Sequence, residues 1–555
     1  MKKILLISII IQTLSFSLFA DEGMWLPILM GQNIEEMNKL GCKLTAEDIY
    51  SVNSSSLKDA IVLFGRGCTG SLISDQGLVI TNHHCGFGSI QSLSSVEHDY
   101  LKNGFWATEK TQELPAEGLT VSFLVSMEDV TDKILKGVYA NTNELKRDSI
   151  VERNINEVKK MAQEGNHYKV EVKPFYYGNE YYLMVYEVFQ DIRLVGAPPS
   201  AIGNFGGDTD NWVWPRHTGD FSMFRIYADK DNKPAPYSTE NVPYKPKKFL
   251  TISLKGVKQD DFTMVYGFPG TTQQYITSQA VDLVANYQNP NKIALRDIRL
   301  KIMESYMKGN DTINIMYADK QKGIANAWKK WIGESKGLIR FNVVEKKKEI
   351  ENNFTQWISA DPQRYSTYSQ ILSTFDRLYT KFKPIAITND FNKEAVNAVE
   401  LISFASNFTP IINVYSKEKL DSEKIESMLN SLRAKAKAFY SEFYLPIDRE
   451  VFSNMMRSFH ENVPLEHQPQ FLISIVNQYQ ENWQSFANDI YSQTVFADSI
   501  RLLTFLNNFD TSAISTIKND NIYRIYSNFF SAYSQKIGKR FGDISDSLYV
   551  NYRTY

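Results

Sequence analysis

The sequence predicts an α+β protein in which a strand-rich N-terminal half precedes a long helical region. Between about residues 60 and 270, short apolar runs alternate with turns containing glycine, proline or aspartate, a pattern typical of a β-barrel or sandwich. After about residue 275, glycine and proline become rare, and long charged segments carry apolar residues at helical spacing. Helices are therefore predicted for residues 276–546, after a β-rich domain at residues 21–275.

The strand-like runs in the first half lie at residues 119–125, 181–189, 221–227, 249–254 and 262–266. One helix is predicted among them, at residues 144–164, because Val151, Ile155 and Val158 recur at helical spacing in a charged segment. At the other end of the chain, the side chains of residues 547–555 alternate as they do in a strand. This segment is therefore predicted to start a strand that returns to the sheet.

The most informative segment is residues 68–85, CTGSLISDQGLVITNHHC. Its two short apolar strands flank an Asp-Gln-Gly turn, and Cys68 and Cys85 stand at the outer ends. A disulfide between them would fix the loop that carries His84, and a general base must be held within hydrogen-bond reach of its nucleophile. Trypsin-like barrels present their catalytic base in this way, so His84 is predicted to be a general base.

The alternatives for this segment are weaker. His83 is interpreted as a structural residue, and a zinc site would have to use His83, His84, Cys85 and His98. No HExxH or CxxC pair and no carboxylate at ligand spacing accompanies them, so neither a metal nor an organic cofactor is predicted. Cys42 remains as an odd cysteine, either buried and free or paired outside this chain.

A second dense segment, residues 203–221, combines glycines, tryptophans, a proline and aspartates, as loops that line a site often do. It must supply the acid that orients His84. Asp220 is favoured because it lies at the start of a predicted strand, whereas Asp208 and Asp210 resemble turn residues. His217 is a possible second base, although a loop histidine that bonds to the backbone is the simpler interpretation.

No serine lies in a Gly-x-Ser-Gly turn of the kind that trypsin-like enzymes use for their nucleophile. Residues 333–337, GESKG, match the G-x-S-x-G pattern. That pattern marks a nucleophile only at a strand-to-helix elbow, and the residues before Ser335 are predicted to be helical. Gly333 is therefore predicted to end a helix rather than to begin an elbow.

Composition and charge exclude some classes of protein. The 555 residues carry a formal net charge of -2, so no global field would attract nucleic acid or an anionic membrane. Residues 1–20 have two lysines, a short apolar run and a terminal Ala20, the form of a cleaved secretory signal. We expect the mature protein to be exported, with no stable membrane insertion after cleavage.

Several segments together resemble serine peptidase family 46, the family of the bacterial dipeptidyl peptidases 7 and 11. These segments are DEGMWLP at residues 21–27, residues 67–86, NGFWA at residues 103–107, residues 211–221, GFPG at residues 267–270 and residues 331–337. The resemblance extends over essentially the whole chain. It implies a chymotrypsin-like double β-barrel with a large inserted α-helical domain, activity on peptides that have free N-termini, and a homodimer. It also implies a location in the periplasm or at the cell surface of a bacterium.

Carried onto this sequence, the resemblance implies that His84 and Asp220 are the catalytic base and its aspartate. It also implies that Asn211, Trp212 and Asn326 bind the α-amino group of the substrate. An ammonium group removed from water needs oxygen acceptors and is attracted by an aromatic face, so these residue types suit that role. Binding the amino group at a fixed distance from the scissile bond would limit the product to dipeptides.

In the family, the catalytic serine and the residues that select the P1 side chain follow the helical domain, so the resemblance places them beyond Tyr555. We therefore expect the chain to be a fragment of a longer peptidase, or alternatively a truncated and inactive relative. Two other functions are considered: a non-catalytic protein that binds peptide N-termini, and a trypsin-like endopeptidase that also cleaves blocked peptides. The P1 preference, acidic or hydrophobic, is left open.

Overall fold

The computed structural model describes residues 24–95, 97–139, 142–207, 211–271, 273–415 and 422–555. The predicted signal segment, residues 1–20, and the alternative acids Asp208 and Asp210 lie outside the described residues. Two compact units are present. The first contains the chain up to Phe175 together with Glu180–Gly203 and Asp220–Gly270, and the second contains Tyr176–Asn179, Asn204–Gly219 and Thr271–Tyr555.

The first unit is built on one 11-stranded antiparallel sheet. Its strands are β1 Ile61–Phe64, β2 Cys68–Leu72, β3 Leu78–Thr81, β4 Phe105–Trp106, β5 Leu114–Pro115, β6 Val121–Asp129, β7 Lys169–Phe175, β8 Glu180–Phe189, β9 Asp191–Ala197, β10 Ser222–Ala228 and β11 Val242–Pro243. The order is β4-β9-β10-β3-β2-β1-β6-β8-β7, with β5 paired to β9 and β11 to β10. Val62, Phe64, Val79, Phe189 and Phe224 belong to its buried core.

Three of the five predicted strand runs are confirmed by β6, β8 and β10, whereas the runs at residues 249–254 and 262–266 are not strands. A strand needs a neighbour for its backbone hydrogen-bonding groups. In the first of these runs, Leu250 N donates to Leu72 O at 2.8 Å, but no strand ladder follows. Ile252 and Leu254 are 62% and 96% exposed, so the run lacks the buried face that a half-buried strand has.

Helices of the first unit are α1 Met30–Lys39, α2 Ala46–Ile49, α3 His83–Leu93, α4 Tyr100–Asn103, α5 Thr131–Ile134, α6 Glu144–Gln163 and α7 Ser200–Gly203. Those of the second unit are α8 Ser278–Leu283, α9 Asn289–Met307, α10 Asp311–Arg340, α11 Val343–Ser359, α12 Pro362–Tyr368, α13 Ile371–Phe391, α14 Glu400–Ala405, α15 Thr409–Tyr415, α16 Ser422–Ser441, α17 Leu445–Asn462, α18 Gln470–Tyr479, α19 Trp483–Gln493, α20 Ser499–Asn507, α21 Thr511–Asn519, α22 Asn521–Tyr533 and α23 Lys539–Thr554. The α+β class, the helix near residues 144–164 and the helical region after residue 275 are confirmed.

The C-terminal strand predicted at residues 547–555 is wrong, because this segment completes helix α23. In a helix, Leu548 and Tyr552 are four residues apart and lie on one face, and both are buried. The Tyr552 ring packs 4.4 Å from that of Phe375, and its hydroxyl lies 2.8 Å from that of Tyr379. These tertiary contacts override the strand propensity of the local sequence.

The G-x-S-x-G segment lies inside helix α10, which continues past Gly333 to Arg340. The prediction that Gly333 ends a helix is therefore wrong, whereas the interpretation of the segment as something other than a nucleophile elbow is supported. Ser335 is buried, and its Oγ accepts a hydrogen bond from Asn289 Nδ2 at 3.2 Å. This serine is part of a helix contact.

No single helix in the described ranges is both long and apolar enough to cross a membrane. Two consecutive helical segments, Pro362–Val396 and Glu400–Tyr415, are together long and apolar enough to cross one, but they are bent by 96° relative to each other. Phe391, Leu401 and Ile412 from these segments belong to the large buried core of the helical unit.

The helical unit also contains a buried carboxyl group. Asp448, which is 1% exposed, accepts hydrogen bonds from the backbone N–H groups of Glu400 and Leu401 at 2.6 and 3.2 Å and from Tyr491 Oη at 2.5 Å. The Glu400 carboxylate in turn accepts from Lys320 Nζ at 2.6 Å. Burial, followed by the nearby negative charge of Glu400, raises the pKa of Asp448 to about 7.

We expect the free energy of unfolding to fall as the pH rises from about 4 to about 7, because within that window the folded protein keeps a proton on Asp448 that the unfolded chain releases. The slope from this group cannot exceed about 1.4 kcal/mol per pH unit. Urea unfolding at several pH values measures it, and Asp448→Asn, which does not titrate, should remove this component. An unchanged pH slope in Asp448→Asn would contradict the assignment.

Candidate active site

The segment at residues 68–85 folds as the sequence predicts, as a hairpin followed by a helix. Strands β2 and β3 pair through Ser71 with Ile80 and Leu72 with Val79, and Gly77 has a φ of 67° in the turn, a conformation that favours glycine. The chain then enters helix α3 at His83. Cys68 and Cys85 are joined by a disulfide whose Cα atoms lie 6.1 Å apart, which ties the start of β2 to the first turn of α3.

His84 and Asp220 are hydrogen-bonded to each other. With its Nδ1 protonated, His84 donates to Asp220 Oδ2 at 2.8 Å. The aspartate side chain is 11% exposed, whereas the histidine side chain is 51% exposed. No described residue forms a hydrogen bond with His84 Nε2, so this nitrogen remains able to accept a proton from a nucleophile. The arrangement is that of a general base held by an acid.

Strand pairing explains why these two residues meet. Strand β10 pairs with β3 in the register that sets Ser222 opposite Thr81, so Asp220, two residues before Ser222, lies beside the residues that follow Thr81. Asp220 Oδ1 also accepts the backbone N–H of His84 at 3.1 Å. This N–H belongs to the first turn of helix α3, so Asp220 caps the helix and receives favourable interaction from its dipole.

Asn82 also helps to hold Asp220 in place, although it was not predicted as a site residue. It is the N-cap residue of α3, but its side chain does not cap the helix. Instead Asn82 Nδ2 donates to Asp220 Oδ2 at 3.3 Å and to Asp220 O at 3.2 Å, while Asn82 O accepts from Ser222 Oγ at 2.9 Å. Its position directly before a histidine pair was the only sequence signal, and the role requires knowledge of the β3–β10 register.

Two glycines allow the close packing that fixes this turn. A Cβ at Gly86 would lie 2.7 Å from Ser222 Oγ and 2.9 Å from the Phe224 ring, so α3 can approach β10 only with glycine there. A Cβ at Gly203 would lie 2.6 Å from Cγ and 2.8 Å from Nε2 of His83, whose ring is fully buried. His83 therefore has a packing role, as its interpretation as a structural residue requires.

Gly203→Ala is expected to destabilise the protein by about 1–3 kcal/mol, because the buried His83 ring must move to admit the new methyl group. The movement also displaces the adjacent His84. Urea unfolding measures the loss of stability. Gly88→Ala in helix α3 is the matched control, since a Cβ there meets no atom within 4 Å, and it should leave stability unchanged or slightly increased. Equal stabilities for the two variants would contradict the proposed packing role.

The residues implied in amino-group binding come together within the helical unit. Asn326, on helix α10, accepts hydrogen bonds at its Oδ1 from Trp212 Nε1 at 2.9 Å and from Asn211 Nδ2 at 3.1 Å. Trp212 is 53% exposed, and its φ of 56° is unusual for a residue with a side chain. The hydrogen bond to Asn326 contributes to holding Trp212 in that conformation.

Arg216 was not predicted as part of this group, but its Nη1 donates to Asn211 Oδ1 at 3.3 Å. The Asn211 amide is therefore oriented from both ends, by Arg216 at its oxygen and by Asn326 at its nitrogen. His217, the alternative base, is exposed and forms no hydrogen bond with a described residue, so the predicted backbone bond of this side chain is not found within that part of the chain.

Potential metal-ligand atoms of Cys68, His84 and Cys85 lie within 4.8 Å of one another. The two sulfur atoms are bonded to each other, so neither is a thiolate that could bind zinc. Cys42, the remaining cysteine, is buried in a separate apolar cluster with Met30, Met37 and Ile49.

The sequence matches the family Peptidase S46 over residues 20–555. It is 42% identical to an Asp/Glu-specific dipeptidyl-peptidase of Flavobacterium psychrophilum over 100% of this chain and 76% of that protein. An Asp/Glu-specific dipeptidyl-peptidase of Capnocytophaga gingivalis is 47% identical over 80% of this chain and 62% of the relative. A dipeptidyl-peptidase 7 of the same organism is 38% identical over 91% of this chain and 70% of its own length.

The structure is similar to the crystal structure of Porphyromonas endodontalis DPP11 in complex with the dipeptide Arg-Glu, with a TM-score of 0.84 and 33% identity. The match covers 97% of this chain and 76% of that one. The same protein in complex with Arg-Asp gives a TM-score of 0.83, with 32% identity and the same coverage.

Proposed function

The chain belongs to the Peptidase S46 family, and we propose that it carries the acid–base couple and the amino-group site of a serine dipeptidyl peptidase. The observation that carries the proposal is the 2.8 Å hydrogen bond between His84 Nδ1 and Asp220 Oδ2, with His84 Nε2 bonded to no described residue. The related proteins are dipeptidyl peptidases, and two DPP11 structures contain dipeptides.

In this mechanism His84 Nε2 removes the proton from a serine hydroxyl as its oxygen forms a bond to the scissile carbonyl carbon. The resulting imidazolium delivers that proton to the leaving amine as the C–N bond breaks. A water molecule then gives a proton to Nε2 as its oxygen attacks the carbonyl carbon of the ester. As the ester C–O bond breaks, the imidazolium returns the proton to the serine oxygen and the dipeptide is released. Asp220 keeps the imidazole in the required tautomer and stabilises its cation throughout. The nucleophilic serine is inferred from the resemblance to the family, and no residue of the sequence is assigned to that role.

Asn211, Trp212 and Asn326 are proposed to bind the substrate α-amino group. The amide oxygens of Asn211 and Asn326 supply acceptors, and the exposed Trp212 ring supplies a face that attracts a cation. Both oxygens already accept hydrogen bonds, from Arg216 on Asn211 and from Trp212 and Asn211 on Asn326. An incoming ammonium group must therefore share or replace one of these donors.

The decisive experiment compares matched peptides with free and acetylated N-termini, using the complete gene product. Dipeptide release from the free peptide alone supports the proposal. Cleavage of both peptides indicates a trypsin-like endopeptidase. Binding of the free peptide without cleavage indicates a non-catalytic protein that recognises N-termini. Activity that survives His84→Ala excludes the mechanism.

The amino-group site is tested separately through KM. Asn326→Ala should raise KM by about tenfold or more, because a hydrogen bond to a charged group contributes about 1.5–3 kcal/mol. Asn314→Ala is the matched control, since Asn314 is an exposed asparagine of the same helix whose side chain forms no hydrogen bond with a described residue. Equal KM values for the two variants would remove Asn326 from the site.

We further propose a preference for aspartate or glutamate at the P1 position. The support is that two relatives named Asp/Glu-specific are 42% and 47% identical to this chain, more than the dipeptidyl-peptidase 7 relatives at 37–38%. Two other Asp/Glu-specific relatives stand at 35%, so identity alone does not separate the two groups. Fluorogenic dipeptides that differ only in P1 measure the preference as a ratio of kcat/KM values. A ratio of acidic to hydrophobic P1 of about 10²-fold supports it, and a ratio below one contradicts it.

Export and homodimer formation are part of the same proposal. The support for export is the signal-like sequence of residues 1–20 and the presence of a disulfide, which is characteristic of oxidising compartments. Fractionation of cells followed by N-terminal sequencing of the mature protein tests export. Light scattering of the purified protein tests the dimer.

A further inference from the structure

The side of helix α10 that carries Asn326 is rich in positive charge. At about 100° per residue, four basic residues lie within about 80° of Asn326 around the helix axis. They are Lys329, Lys330, Lys336 and Arg340. Between residues 320 and 340 the helix has six basic residues and one acidic residue, whereas the whole chain has a net charge of -2. The positive charge is therefore local to this helix.

The same side of α10 faces the loop that contributes to the amino-group site. Asn326 Oδ1 accepts a hydrogen bond from Trp212 Nε1 at 2.9 Å. Seven residues later, a Cβ at Gly333 would lie 3.6 Å from Trp212 O. Lys329 and Lys330 lie between Asn326 and Gly333 in the sequence. The loop therefore packs against the part of the helix that carries these two lysines.

Ion pairing within the protein does not account for the two lysines. Lys330 is exposed and Lys329 is half-buried, and neither forms an ion pair with an acidic residue in the described part of the chain. Glu334 lies four residues after Lys330, but its Oε2 accepts from Asn289 Nδ2 at 2.9 Å. Helix surfaces gain stability when opposite charges pair three or four residues apart. Lys329 and Lys330 contribute no such pair.

The amino-group site has a further positive charge on its other side. Arg216 Nη1 donates to Asn211 Oδ1 at 3.3 Å, so a guanidinium group lies beside a residue that is proposed to bind the substrate. These cations repel an ammonium group. A substrate that brings a carboxylate close to its own ammonium group compensates this repulsion. The charge around the site therefore favours an acidic side chain on the first residue of the substrate.

The distances are suited to that side chain. The first residue of the substrate, P2, carries its side chain and its α-amino group on the same Cα, so Asn326 would fix where the side chain begins. Lys329 and Lys330 follow Asn326 by three and four residues, which places their Cβ atoms about 5–6 Å from that of Asn326. An aspartate or glutamate carboxylate lies a few bonds from the P2 Cα and is within reach of a lysine side chain.

We propose that Lys329 and Lys330 bind a carboxylate on the P2 side chain, so that aspartate or glutamate at P2 is preferred over the corresponding amide. The inference rests on the proposed amino-group site. It is separate from the P1 preference, because the resemblance to the family places the P1-selecting residues beyond Tyr555. The interaction weakens with added salt, because salt screens exposed charges.

The test uses the complete gene product and two peptides that differ only in glutamate or glutamine at P2. We expect kcat/KM to be about threefold or more higher for the glutamate peptide at low salt, with the ratio falling at high salt. Lys329→Gln combined with Lys330→Gln should bring the ratio to about one, and Lys329→Glu combined with Lys330→Glu should reverse it. Each ratio compares two peptides on one enzyme, so partial misfolding of a variant does not change it.

Lys159→Gln combined with Lys160→Gln is the matched control, because it removes the same charge from an adjacent lysine pair on helix α6. It should keep the ratio of the original protein. A ratio of about one or less in the original protein, or an unchanged ratio after the α10 lysines become glutamine, overturns the proposal. An equal loss in the α6 control also overturns it, because the preference would then follow from the total charge.

Calorimetry with the dipeptides Glu-Glu and Gln-Glu separates this inference from the proposed function, because binding does not require cleavage. Tighter binding of Glu-Glu that is lost with the α10 lysines supports the P2 site, even if no peptide is cleaved. Dipeptide release with equal treatment of the two P2 residues in both experiments keeps the peptidase function and overturns the P2 site.

Discussion

Asp220→Asn is expected to lower kcat by about 10⁴-fold in the complete gene product, with little change in KM. Asp220 uses one carboxylate oxygen to accept the Nδ1–H of His84 and the other to accept the His84 backbone N–H. An asparagine has only one such acceptor oxygen. Whichever way its amide turns, an NH₂ group replaces an acceptor that His84 requires.

The two amide orientations have different consequences. If the NH₂ group faces Nδ1, the imidazole must carry its proton on Nε2 and cannot accept one from the nucleophile. If it faces the backbone N–H of His84, a donor opposes a donor at the first turn of helix α3. Asp220→Asn therefore weakens either the base or the helix cap, although the two side chains have nearly the same shape.

A double-variant comparison distinguishes this role from a general structural one. His84→Ala should cost about as much kcat as Asp220→Asn, and the combined variant should cost little more, because the two residues act as one unit. Independent, additive losses would contradict the couple. Activity of Asp220→Asn within tenfold of the original protein would show that another acid orients His84.

Replacing both disulfide cysteines, Cys68→Ser with Cys85→Ser, is expected to lower the free energy of unfolding by about 3 kcal/mol. The bridge closes a loop with a sequence separation of 17, and losing a cross-link of that length frees the unfolded chain by about this amount. The change also releases the first turn of helix α3 from strand β2, so His84 is held less firmly over Asp220. The free energy of unfolding, measured with urea, and kcat should therefore both fall.

Reductant supplies the control for this second prediction. Dithiothreitol should destabilise the original protein to the level of the double variant and leave the double variant unchanged. Cys42→Ala keeps the bridge and should stay sensitive to reductant, because Cys42 is not part of it. A double variant as stable as the original protein would show that the bridge contributes little.

The sequence was sufficient for those parts of the site that depend on local structure. The hairpin, its cysteines and His84 lie within eighteen residues of one another in residues 68–85, so turn and strand signals could predict their arrangement. Asp220 could only be favoured among three acids, because its position depends on the pairing of Ser222 with Thr81 across the sheet. Asn82 and Gly203 act through the same long-range packing and gave no usable local signal.

Short apolar runs were the least reliable part of the sequence analysis. Residues 547–555 and 249–254 both have the composition of strands, yet the first is helical and the second forms no strand. The helical result follows from aromatic packing of Tyr552 against Phe375 and Tyr177. By contrast, a long periodic pattern specifies a helix more strongly than a short run does. Helix α16 has such a pattern, and one of its faces carries the buried residues Ile425, Leu429, Leu432 and Ala436.

The division of the chain between its two units limits how the protein can be dissected. The backbone passes from one unit to the other five times, after Phe175, Asn179, Gly203, Gly219 and Gly270. A single cut at residue 270 would leave Asn211 and Trp212 in one piece and Asn326 in the other, so neither piece would hold the complete amino-group site. On the ribosome, the same threading means that the segment with Trp212 emerges long before the helix that holds it, and it must wait for α10 to be synthesised.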